Sequence, residues 1–82
     1  MPRFFFHFRD GKQLTRDAEG IELVDLDSAQ TEALAAAREF LANQLRAGRL
    51  DGDYRFEIAD DRGQKLATVL ILGGPWAVVE AN

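Results

Sequence analysis

His7 is the only histidine of the chain and Ser28 its only serine, so acid–base or nucleophilic chemistry would have to be built around them. A histidine can act as general base or metal ligand, but both tasks need partners held at set distances. No such set stands at a familiar spacing: there is no His-x-His, no His-Glu-x-x-His and no Asp-x-Asp-x-Asp-Gly. Asp51 with Asp53, and Asp60 with Asp61, come nearest to paired carboxylates. Both pairs lie in the glycine-containing stretches "LDGD" and "DDRG", where solvated turn aspartates are the ordinary outcome. "DGDYRFE" lacks the oxygen spacing and terminal glutamate of a calcium loop. The glycine pair at 73 and 74 precedes a proline rather than a helix, which argues against a phosphate cradle. The chain has no cysteine, so thiol nucleophiles, disulfides and thiolate zinc sites are excluded. The expectation is a non-enzyme with no catalytic, cofactor or metal residues and no cofactor.

The elements that would position these residues follow from patterning. Residues 3 to 9 alternate, Phe4, Phe6 and Phe8 against Phe5, His7 and Arg9, and aromatic residues favour strands. "DGK" at 10–12 is a hairpin signal. Residues 13–17 form a short returning strand, and "IELV" at 21–24 a third extended piece. "YRFEIA" at 54–59 alternates with Tyr54, Phe56 and Ile58 inward and Arg55 and Glu57 outward. "DDRG" turns the chain into a strand at 64–72, apolar on both faces apart from Thr68.

Between these lies the strongest element, "DLDSAQTEALAAAREFLANQLRAGR", a helix with acidic residues at its start and basic residues at its end. Asp25 is the expected N-cap, with Asp27 and Gln30 as a rival capping box, and Gly48 suits the left-handed C-terminal position. At about 100° per residue, Ala29, Ala33, Leu34, Ala37, Phe40, Leu41 and Leu45 fall in one arc and predict a single buried face.

The 82 residues make one domain, with 72–82 as a less regular tail. The fold class is α+β: a small antiparallel sheet of three to five strands with one long helix on one face, in the order ββ(β)αββ. The strands flanking the helix are expected to lie side by side. The run "LATVLILGGPWAVV" is too short and too broken to cross a bilayer, and no targeting segment is visible, so a cytoplasmic protein without membrane contact is expected. The net charge of −4 opposes nucleic-acid backbones, although "RFFFHFR" interleaves rings with basic groups as sheet-type RNA binders do.

One helix can cover only one sheet face. The other should carry Phe5, His7, Arg9, Arg55 and Glu57, a mixture resembling an association surface. Trp76 in the tail either closes over this patch or extends it. The sequence leaves three roles open for the patch: cover by the tail, self-association as a homo-oligomer such as a dimer, or a ligand or nucleic-acid site; another protein is the alternative partner.

The blocks "PRFFFHFRDG", "D-x-E-G-x-E-L-x-D-L-x-x-A" and "RFEIADDRGQKL", around an alanine-rich helix, resemble a family of short bacterial proteins catalogued as a domain of unknown function. The resemblance covers roughly residues 2–71 and implies the element order, with no activity attached. Residues 4–45 are also similar to HicB-like antitoxins, which implies a regulatory partner protein as an alternative. The central aromatic-proline stretch of that family is missing here.

Overall fold

A computed structural model describes residues 1–48 and 53–71, and the backbone of 77–81. The elements are β1 (Arg3–Asp10), β2 (Gln13–Thr15), β3 (Ile21–Glu22), α1 (Leu26–Arg46), β4 (Tyr54–Ala59), β5 (Lys65–Ile71) and β6 (Ala77–Ala81). All strand pairings are antiparallel, in the order β2-β1-β4-β5-β6, with β3 also paired to β1. The expected α+β architecture is therefore present. The strand just before the helix does not lie beside the one just after it, because β1 stands between β3 and β4.

The tail does more than the patterning suggested. Residues 77–81 form a strand that extends the sheet beyond β5. Two valines in five residues carry too weak an alternation to be recognised without the partner strand. Trp76 lies outside the described residues.

The helix begins where its cap chemistry dictates. Asp25 is extended, and its Oδ1 accepts the Ser28 N–H at 2.8 Å, so Asp25 and not the Asp27–Gln30 pair provides the cap. These bonds, from the Ser28 backbone first and then its hydroxyl, hold the Asp25 carboxyl below its ordinary value. Gly48, at φ +71°, ends the helix in the left-handed region.

Packing depends on the small side chains of one helix row. Ala29, Ala33, Ala37 and Leu41 are buried against Ile58, Ala67, Val69 and Ile71. The odd positions of β5 thus face the helix, which the sequence had left open. The helix lies over β4, β5 and β6. On the β1 side large rings fill the space: Phe8 meets Phe40 at 5.1 Å and Phe56 at 5.2 Å between centroids, and Phe40 meets Tyr54 at 4.8 Å. Each such ring pair adds about 0.5–1.5 kcal/mol beyond its area.

Leu45 corrects the expected arc, since it is 60% exposed. Each step of four residues turns the row about 40° further round the helix, so by Leu45 it has left the sheet. Leu41→Ala should therefore cost about 2–5 kcal/mol, and Leu45→Ala under about 0.5 kcal/mol, in urea unfolding. Equal losses would contradict this packing.

Candidate functional site

The face of the sheet away from the helix collects five of the six residues that sequence reasoning selected. Cross-strand register sets Phe5 opposite Ala59, His7 opposite Glu57, and Arg9 opposite Arg55. On β5, Thr68 extends the second row and Leu70 the third, and Leu14 of β2 joins the third row from the other side. Phe5, His7, Leu14 and Leu70 are each partly exposed, while Thr68 and Ala59 are buried.

Two arginines directly opposite one another repel, and each is answered by its own carboxylate. Arg9 Nε donates to Glu57 Oε2 at 3.1 Å, with the Glu57 side chain 14% exposed. Arg55 Nη2 donates to Asp53 Oδ2 at 2.9 Å, an ion pair whose acid is well exposed. The more exposed of the two contributes at most about 1 kcal/mol. Arg55 Nε is buried without a hydrogen-bond partner among the described residues.

His7 has a function that the sequence did not reveal. Its Nδ1 accepts the backbone N–H of Asp17 at 3.0 Å, so the neutral ring carries its proton on Nε2. Asp17 sits in the link between β2 and β3, which pair with β1 at residues 8–10 and 3–4 and leave its middle open. The Asp17 carboxylate fills that gap: Oδ2 accepts the Phe6 N–H at 3.1 Å, and Oδ1 accepts those of Glu19 and Gly20, both at 3.2 Å. Burial pushes the Asp17 carboxyl up. The three backbone bonds, from Phe6, Gly20 and Glu19, outweigh it and hold the group below its ordinary value. Arg3 reaches over the same link, its Nη1 donating to Glu19 O at 2.8 Å. An aspartate two residues past a short strand is a common turn residue, and nothing in the sequence ties it to His7.

The link can lie this close only because residue 20 is glycine. Gly20 has φ +71°, and a Cβ there would stand 2.8 Å from Phe4 O and 3.0 Å from Phe5 Cδ2. Of the other carboxylates considered for chemistry, Asp53 pairs with Arg55, and Asp60 Oδ1 accepts the backbone N–H groups of Arg62 and Gln64, both at 2.9 Å. Asp51 lies outside the described residues. No group of three or more histidine, aspartate or glutamate residues could hold a metal among the described residues.

A concavity of about 180 Å³ lies between the first half of α1 and β1. Phe6, Phe56, Ile21, Ala33 and Ala36 line it, with Asp17 and Glu32 at its margin. No helix of the described residues is long and apolar enough to cross a membrane.

Residues 3–72 match the family described as "Domain of unknown function (DUF6894)", and the chain belongs to that family. No curated protein and no solved structure matches the chain.

Two outcomes follow for the link. Gly20→Ala should destabilise the fold by about 1–3 kcal/mol, through forced positive φ and overlap with the Phe4 carbonyl. A loss under about 0.5 kcal/mol in urea unfolding would contradict the close approach. A carboxyl depressed in the folded state stabilises it above the unfolded value, near 3.8, and that stability is lost as pH falls through the lower native value. Asp17→Asn should therefore flatten the acid limb of a stability–pH curve below about pH 4. An unchanged limb would show that Asp17 does not hold the link.

Proposed function

We propose that the chain is a small cytoplasmic interaction module, non-catalytic, which associates with itself through the surfaces of the sheet that its helix leaves open. One observation carries the reading: a single helix covers one face, and the opposite face presents Phe5, Leu14 and Leu70 among Arg9, Arg55 and Glu57. Partly exposed large apolar groups interleaved with arginine are the composition of an association surface. The non-catalytic reading is supported by the structural duties of the titratable side chains. His7 and Asp17 hold the link, Asp25 caps the helix and Asp60 closes a turn.

Light scattering across a dilution series tests the reading. The wild-type chain should show a mass that rises with concentration toward that of a dimer. A monomer at every concentration would overturn self-association and leave the open face to a different protein. Steeply salt-dependent binding to single-stranded RNA would instead favour stacking of bases on Phe5 and His7, whose rings lie 6.4 Å apart and nearly parallel.

A further inference from the structure

We propose that β6 is the dimerisation strand: it pairs antiparallel with β6 of a second copy, about a two-fold axis through Val79 perpendicular to the sheet, joining two sheets into one. The proposal rests on the reading that the chain self-associates, and it selects the sheet edge over the sheet face.

The two edges of the sheet are built differently. On the β1 side the edge strands have three and two residues, the gap between them is filled by Asp17, Lys12, Arg16 and Glu19 stand around them, and Glu22 is one of the two residues of β3. Short strands, charge and cover are the means by which sheets prevent unwanted pairing. The β6 edge is longer and less charged. Its five residues, "AVVEA", hold one charge and neither proline nor glycine. Among the described residues no strand lies along its far side.

Register then narrows how a second copy can dock. Ala77, Val79 and Ala81 stand opposite Ile71, Val69 and Ala67, the helix-facing positions of β5. Val78 and Glu80 stand opposite Leu70 and Thr68, positions of the outer face. A two-fold axis perpendicular to the sheet keeps both helices on one side and pairs only positions of the same face. Centred on Glu80, it would set two glutamates directly against each other. Centred on Val78, it would pair only residues 77–79 of β6. Centred on Val79, it pairs the whole strand: Ala77 with Ala81, Val78 with Glu80, and Val79 with its own copy. That register separates the two acids and sets each beside an uncharged residue. The helix layer, which already reaches β6, then continues across the junction.

The register makes a charge test specific. Val78→Glu places acid beside acid twice across the axis and should weaken the dimer by roughly an order of magnitude in a light-scattering dilution series. Val78→Lys places opposite charges there and should leave the dimer intact or tighten it several-fold. Val78→Glu combined with Glu80→Lys should restore it. Circular dichroism checks that each chain folds. If Val78→Glu does not fold, the Val78→Lys result decides alone. Equal weakening by both charges would overturn the register. Insensitivity to both, with dissociation by Phe5→Glu, would overturn the edge while preserving self-association through the face. A wild-type monomer throughout would overturn both.

Discussion

How deeply the helix sinks onto the sheet governs the rest of this structure. Ala29, Ala33 and Ala37 are at most 1% exposed and bring the backbone of α1 close to β4 and β5. Close seating means that a larger side chain in that row would force the two layers apart. It also places the helix over β4, β5 and β6, off the centre of the sheet. β1, beyond the strands that the helix covers, must then reach the core with large side chains. Phe4, Phe6 and Phe8 do so, which accounts for three of the four phenylalanines at the start of the chain. The fourth, Phe5, belongs to the other face.

That arrangement divides the charged and polar groups into two kinds. Those near β1 are structural. Asp17, His7 and Arg3 knit the β2–β3 link onto the strand, with the Asp17 carboxylate completing a ladder that neither short strand completes. Those on the open face are paired diagonally or along a strand, Arg9 with Glu57 of the neighbouring row and Arg55 with Asp53, and apolar groups lie between them. Consequently the β1 edge is closed by its own chain, whereas no strand among the described residues lies beyond β6 at the far edge. An asymmetry of this kind directs association toward one side of a sheet.

Much of this was legible beforehand, because alternation and capping act locally. The bounds of β1 and β4, the Asp25 cap and the glycine that ends the helix all follow from period and residue type. So do the β1 and β4 members of the open face, since period two decides which residues of a strand share it. What escaped was set by contacts distant in sequence. The inward parity of β5 depends on its register with β4, because Leu66 to Leu72 are apolar on both faces. The exposure of Leu45 depends on where the sheet ends beneath the helix. The bond from Asp17 to His7 spans a turn whose path no spacing rule dictates. The last strand acquires its identity only from β5 beside it.

Amide hydrogen exchange measured at low and high protein concentration tests the central claim most directly. An edge pairing makes new backbone hydrogen bonds, whereas face-to-face packing buries side chains and leaves the amides as they were. Protection of residues 77–81 should rise with concentration while the β2–β3 link stays unchanged. Concentration-independent exchange along β6 would contradict the account.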